Sequence, residues 1–306
     1  MELFQKIIKR IILAVVSLFV ITTMTFFLMN LMPGDPFMSE KASPAARAAL
    51  RAKYGLDQPV GVQYIKYMGA LLHGDMGNSY VLQKGRPITR IVTESFAVSL
   101  RLGVKALLFA LVVGILLGCI AGFFMNRPAD NIIRVISAIG ISVPGYVVAA
   151  VLMIVFAVQL RCLPVSYDTG AGSVMPMIVL SLYPTCYLTR LTRASILEVL
   201  GQDYLRTERA KGMSEYVVIF IHALKNSLIP IITYLGPLTA SILTGGFVAE
   251  SVFNVPGLGR YFVSAISSRD YTLIMATTIF YAALLIIMNM VCDILYQIVD
   301  PRIKMD

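Results

Sequence analysis

Runs of about twenty apolar residues recur along this chain, and no other feature limits its folding so strongly. A bilayer core offers no water to a backbone N–H or C=O, so such a run must close its hydrogen bonds within itself as a helix. Hydrophobic residues make up 58% of the 306 and charged residues only 14%, which a water-soluble domain does not tolerate. The expected spans are Ile11 to Leu31, Phe96 to Met125, Ile132 to Leu160, Val174 to Leu197, Leu228 to Ala249 and Thr272 to Tyr296. The fold class is therefore an all-α polytopic membrane protein of about six transmembrane helices.

The first span, within residues 1–32, is expected to be a retained anchor. A signal peptide would need a shorter apolar core and a small-residue cleavage site, and Phe26 to Met32 supplies none. A polar stretch rich in Gly, Pro and Asp follows, from Pro33 to about Ser95. Even parity of spans puts both termini on one side of the bilayer.

Charge asymmetry orients the spans. The net charge of +9 is not gathered on a soluble face with interleaved aromatics, so nucleic acid is not an expected partner. The cations sit in the gaps between apolar runs. Lys6, Lys9, Arg10, Arg127, Arg134, Arg190, Arg193, Arg206, Arg209, Lys211, Lys225, Arg302 and Lys304 mark one side as cytoplasmic, against Arg161, Arg260 and Arg269 in the shorter loops of the other. Residues 33–93 are then an external loop, and Asp203 to Pro230 lies inside.

That internal segment, DYLRTERAKGMSEYVVIFIHALKNSLIP, carries the strongest functional signal. Asp203 is an expected N-cap, Leu205 to Lys211 has good helix formers of alternating charge, and Gly212 suits a helix C-terminus. Arg206, Arg209 and Lys211 with Glu208 present directional charge, and Tyr204 and Leu205 offer an anchor for a partner's groove. A solvated or headgroup-facing basic loop is the competing reading.

Within the spans, Gly114, Gly118 and Gly122 recur every four residues and make a face for close helix packing. Pro144 and Gly145 are expected to kink the third span. Pro176 and Pro184 are expected to interrupt the fourth, and Pro230, Gly236 and Pro237 the fifth. Broken helices line paths as well as shape packing, so these positions are candidate pathway or hinge residues. Glu250 and Asp293, near span ends, are the acidic candidates for a direct transport role. Arg101 and Lys105 are expected to snorkel outward.

Enzyme signatures are thin. There is no G-x-x-x-x-G-K-[ST] phosphate loop, so the chain is not expected to hydrolyse nucleotide. Gly257-Leu258-Gly259 reads as a turn. His73 and His222 lack companions at metal spacing, and Cys119, Cys162, Cys186 and Cys292 are scattered, so no metal site is expected.

Thr207-Glu208-Arg209-Ala210-Lys211-Gly212, followed by His222 to Asn226 and Pro230, resembles the cytoplasmic loop of permease subunits of binding-protein-dependent ABC importers, peptide branch. Pro33-Gly34-Asp35-Pro36, Gly74-Asp75-Met76-Gly77, Val255 to Gly259, Asp270-Tyr271 and the tail Asp293 to Lys304 match as well. The resemblance implies a type I ABC importer transmembrane domain over 94–297, a coupling loop at 201–227 and a cytoplasmic tail at 298–306. It implies a bacterial cell membrane, a second homologous permease, two cytoplasmic ATPases that use ATP and Mg, and an external substrate-binding protein. No cofactor is then bound by the chain itself. Oligopeptides are the expected substrate; dipeptides, glutathione or nickel are alternatives within the family. An autonomous channel or ion-coupled carrier is the alternative of a different class. The sequence departs from the wider family at Glu208, where a small alanine is common.

Overall fold

The computed structural model describes residues 2–31, 37, 44–168, 170–214, 217–218, 223–243 and 246–299. Pro33 to Pro36, His222 and the tail beyond 299 lie outside the described residues, as do the side chains of Arg209, Lys225, Cys292 and Asp293. Among the described residues, five helices are long and apolar enough to span a membrane: Ile8–Leu31, Ile88–Phe123, Ala171–Leu200, Pro230–Val252 and Tyr271–Val291. A sixth is reached if the bent pair Pro128–Ser142 and Gly145–Gln159 is one span.

The chain divides into two compact units. The first comprises residues 1–99 and 256–286. It contains α1 (Glu2–Leu31), α2 (Pro44–Lys53), α3 (Val60–Leu72), the start of α4 (Ile88–Phe123), α12 (Leu258–Ser268) and the first half of α13 (Tyr271–Val299). Its core joins Phe26 and Met29 of α1 to Ile88, Ile91 and Val92 of α4 and Leu273, Ile274, Met275 and Ala276 of α13. The stretch expected as a loop over 33–93 instead holds two helices, and α4 begins at Ile88. Tyrosines make this possible, because they bury ring area while a hydroxyl reaches a partner. Tyr54 meets Phe37 and Tyr80 with centroids 5.7 and 4.4 Å apart. Tyr64 packs edge-on against Phe26 and shares a 2.7 Å hydrogen bond with Thr23.

One buried carboxylate fastens the 78–87 segment. Asp270, fully buried, accepts from Ser79 Oγ and from the N–H groups of Tyr80, Val81 and Leu82 at 3.1, 3.1 and 3.0 Å. Successive backbone N–H groups converging on one anion form a nest, which replaces the hydration the charge has lost. Burial and then the Asp270 charge push the Tyr80 phenol up to about 12, with Tyr54 adding to the shift. Replacing Asp270 with Ala leaves these donors unpaired inside the core. A loss of about 3 kcal/mol is expected, read as a lower unfolding temperature in detergent; an unchanged temperature refutes the anchoring role.

The second unit comprises residues 100–255 and 287–306. Here the rest of α4 is joined by α5 (Pro128–Ser142), α6 (Gly145–Leu152, continuing as a π-helical stretch to Gln159) and α7 (Val174–Leu200). After them come α8 (Asp203–Ala210), α9 (Leu224–Ser227), α10 (Ile229–Leu243) and α11 (Phe247–Val252). Helix α7 is the hub, in contact with α5, α6, α9, α10 and α11. A Cβ on Gly114 would stand 2.9 Å from Leu188 Cβ, and one on Gly122 would stand 2.8 Å from Ile196 Cγ2. At Gly118 the clash would be with Thr192 of α7, and at Gly140 of α5 it would be with Cys186. Glycine is required at these places by close approach, since their backbone is ordinary helix.

Proline effects differ from the expectations. At Pro144 the chain turns by 104°, far more than a kink. Val143 is extended, with ψ of 124°, and so is Pro144, with ψ of 138°. A residue before proline is driven from the helical region, which is why the break falls here. In contrast, α7 and α10 run unbroken through Pro184 and through Gly236 and Pro237. Pro176 and Pro230 fall in first turns, where the missing N–H has no helical partner to lose. Pro184 is buried within α7, and the helix continues on both sides of it. Thr185 Oγ1 donates to the Ser181 carbonyl at 2.7 Å, and Thr189 Oγ1 to the Thr185 carbonyl at 2.8 Å.

The Gly118 contact makes a direct prediction. Gly118→Leu forces α4 from α7 and is expected to cost about 3 kcal/mol or prevent folding. Gly69→Ala in α3, with open space around it, leaves the melting temperature in detergent unchanged. Equal effects from the two substitutions defeat this account of the helix contact.

Candidate coupling site

The short charged helix α8 is tied to the chain by one buried apolar side chain and one tyrosine hydroxyl. Leu205 is fully buried with Val218 and Ala223, against half-buried Val199 and Leu200. The sequence offers Leu205 as an anchor for a partner, but its apolar surface is already covered inside the chain. Tyr204 is similarly engaged: its hydroxyl accepts from Asn226 Nδ2 at 2.7 Å. What α8 leaves outward is charge. Arg206 is 78% exposed and Asp203 93%, with 3.6 Å between them. A pair so open to water adds little stability.

Both helix ends are defined locally. Asp203 occupies the first helical turn rather than the cap, and the Leu205 N–H is bonded to the Gln202 carbonyl at 3.2 Å. Its carboxylate faces Arg206 and complements the positive end of the helix. At the other end Gly212 takes φ +83°, and the Met213 N–H reaches the Glu208 carbonyl at 3.4 Å. That six-to-one bond closing over a left-handed residue is the Schellman arrangement, for which glycine lacks a steric penalty. Thr207 Oγ1 donates back to the Asp203 carbonyl at 3.3 Å, and the Lys211 N–H reaches the Thr207 carbonyl at 3.0 Å. Ala210 closes the helix.

Glu208 is the least ordinary member of the set. Its Oε1 pairs with Lys211 Nζ at 3.1 Å, while its side chain is only 18% exposed. Oε2 is buried and has no hydrogen-bond partner among the described residues. An unmade hydrogen bond on a shielded carboxylate oxygen is costly, so this atom is a standing acceptor.

Two further polar sites lie in the same unit. Asp130 of α5 is fully buried and receives Arg193 of α7 in a two-pronged pair, Nε to Oδ1 at 2.6 Å and an Nη to Oδ2 at 2.9 Å, with the Asn126 N–H adding a third bond at 2.9 Å. By sequence alone Arg193 reads as an end-of-span cation, and Asp130 is missed. The available signal was a lone acid between Arg127 and Arg134 on an otherwise basic side. At the other end of the spans Lys105 donates to Ser173 Oγ at 3.0 Å and, with Arg101, lines an open pocket beside Tyr167. Burial raises the Tyr167 phenol above its ordinary value. Glu250, in the first turn of α11, is fully buried. Pro144 and Gly145 mark the sharp bend, whereas Pro184, Pro230, Gly236 and Pro237 lie within continuous runs of helix. Among the described residues, no three His, Cys, Asp or Glu side chains are grouped to hold a metal ion.

The fold is thus an all-α membrane domain with a short charged helix docked at the end of its hub helix. A family model described as the binding-protein-dependent transport system inner membrane component matches residues 114–305, and its N-terminal companion matches residues 3–96. The chain belongs to this family. The dipeptide transport system permease protein DppB of Bacillus subtilis (strain 168) is 42% identical, over 98% of both chains. DppB of Lactococcus lactis subsp. cremoris (strain MG1363) is 40% identical over 98% of this chain and 99% of its own. The oligopeptide transport system permease protein OppB of Salmonella typhimurium is 39% identical over 97% of this chain and 98% of its own. A crystal structure of an amino acid ABC transporter with histidines superposes with a TM-score of 0.53 at 15% identity, covering 70% of this chain and 95% of that one. The fold is thus that of a type I ABC importer transmembrane domain, and the chain is a multi-pass inner-membrane component of a bacterial transport system.

Leu205 is the testable element of the docking. Leu205→Ala removes the buried part of the contact and is expected to weaken it by about 2 kcal/mol. Amide hydrogen exchange over 203–210 should then quicken about 30-fold while α7 stays protected. Arg206→Ala, at a mostly exposed side chain whose ion pair among the described residues is with Asp203, should leave the exchange unaltered; matching behaviour of the two variants argues against the anchor.

Proposed function

We propose that this chain is one of two permease subunits of an ABC peptide importer, and that α8 is the helix through which cytoplasmic ATPases drive it. The observation that carries the reading is the division of labour in α8. Its apolar side chain holds it to the hub helix, and its exposed charges, Asp203 and Arg206, are left for another protein. A helix fixed to α7 in this way moves α7 when a partner moves it. ATP and Mg are used by the two ATPase subunits, and no chemistry is assigned to the permease itself. A second, homologous permease completes the pathway, and an external binding protein delivers the substrate. Both termini and α8 face the cytoplasm, as the distribution of Lys and Arg supports.

Peptides are the substrate class supported by the relatives, whose names divide between dipeptide and oligopeptide systems at similar identity. Oligopeptides remain the preferred reading, with dipeptides as the alternative. A path for peptides need read only backbone groups, so length is the property that separates the two.

The deciding experiment is reconstitution of the importer in vesicles with its ATPases and binding protein, measuring ATP-dependent uptake of peptides from two to about eight residues. Uptake should require ATP and extend past dipeptides. Flux through the purified chain alone, without ATP, overturns the importer reading in favour of a channel or carrier. Proline cannot adopt the left-handed backbone that Gly212 holds, with φ at 83°. Gly212→Pro is expected to cut uptake at least tenfold while the complex still assembles and hydrolyses ATP; full uptake by this variant would falsify the coupling role of α8.

A further inference from the structure

Helices α5 and α7 enclose an open groove of about 630 Å³ that the transport reading does not use. It is lined by Asn131, Arg134, Val135, Ala138, Arg190 and Arg193, with Ala194 at its edge. Its charge is unbalanced: three guanidiniums line it, and the nearby carboxylate of Asp130 is already held by two nitrogens of Arg193. Neither exposed Arg134 nor exposed Arg190 has a carboxylate within ion-pair distance among the described residues. Asp130 is itself fully buried beneath the groove and offers no free edge to them.

Position along the helices adds a second constraint. Arg134 lies about 9 Å from the start of α5, and Arg193 and Arg190 about 10 and 15 Å from the end of α7, at roughly 1.5 Å per residue. All three thus lie toward one end of the packed pair, the start of α5 and the end of α7. Beyond the cations, the outer face of α5 is apolar and uncovered, with Ile132, Val135, Ile136 and Ile139 all more than half exposed. A guanidinium cluster that continues into an open aliphatic face matches an amphiphile with an anionic head and hydrocarbon tails. Basic pockets between transmembrane helices recognise phospholipid headgroups in this manner, and guanidinium forks suit phosphate oxygens.

We propose that this groove binds the phosphate of an anionic phospholipid, with Arg134 and Arg190 as its donors and Arg193 held in place by Asp130. The acyl chains lie along Val135 and Ile139 of α5. Asp130 then acts as a positioning residue: it orients Arg193 without touching the lipid.

The intact chain, extracted in mild detergent with its accompanying subunits, is titrated with phosphatidylglycerol and with phosphatidylcholine of the same acyl chains, and bound lipid is counted by native mass spectrometry. Phosphatidylglycerol should be preferred. Arg134→Gln with Arg190→Gln should reduce that preference about 30-fold, at about fivefold for each arginine near a membrane surface. Arg134→Lys with Arg190→Lys retains most of it. If the glutamine variant fails to fold, salt provides the same test on the unaltered chain. Headgroup selectivity through these cations must fall between about 0.05 and about 0.5 M salt, roughly a threefold shorter Debye length. A preference that ignores both salt and substitution overturns the proposal. So does displacement of the bound lipid by a peptide carboxylate at equal concentration, which would place the groove on the substrate's route instead.

Discussion

The close approach of α4 and α5 to α7 is the contact on which the second unit depends. In a bilayer the apolar side chains gain nothing by leaving lipid, so helices adhere through van der Waals contact at short range and through polar bonds between them. Gly114, Gly118 and Gly122 on one side and Gly140 on the other remove the Cβ atoms that would hold the helices apart. With α7 clasped in this way, its two ends become dependable mounting points. One carries α8 through Leu205, and the other carries the Ser173 contact to Lys105.

Charge burial follows the same rule in both units. Asp270 is satisfied by backbone N–H groups and a serine hydroxyl, and Asp130 by a two-pronged arginine and one N–H group. Each stitches segments remote in sequence, since a carboxylate taken out of water must find donors wherever the fold can bring them. Glu208 breaks the pattern, having one oxygen paired and the other shielded but unmet.

The sequence is most legible where a signal is local. The span positions follow from apolar length, the end of α8 from Gly212, and the glycine face of α4 from a four-residue spacing. It is least legible where the outcome depends on contacts across the chain. Leu205 looks free to anchor a partner because nothing local reveals Val218 and Ala223 beside it. Pro184 and Pro237 carry the same local penalty as Pro144, yet only Pro144 breaks its helix. Asp130 is easily missed because its role arises from Arg193, 63 residues away. The helices within 44–72 are obscured by the Gly, Pro and polar content around them; their rings pair only after folding.

The sequence by itself determined that the chain crosses a membrane, about how many times, and which segment would be left charged between spans. Those properties follow from desolvation and hydrogen-bond closure, which act on each stretch independently of the others. The tertiary structure alone decided which cations are paired and which stand open, which glycines face a neighbouring helix, and which face of α8 is buried against its own chain. Those are pairwise properties: a side chain's partner depends on where a distant helix packs, and no local pattern encodes that distance.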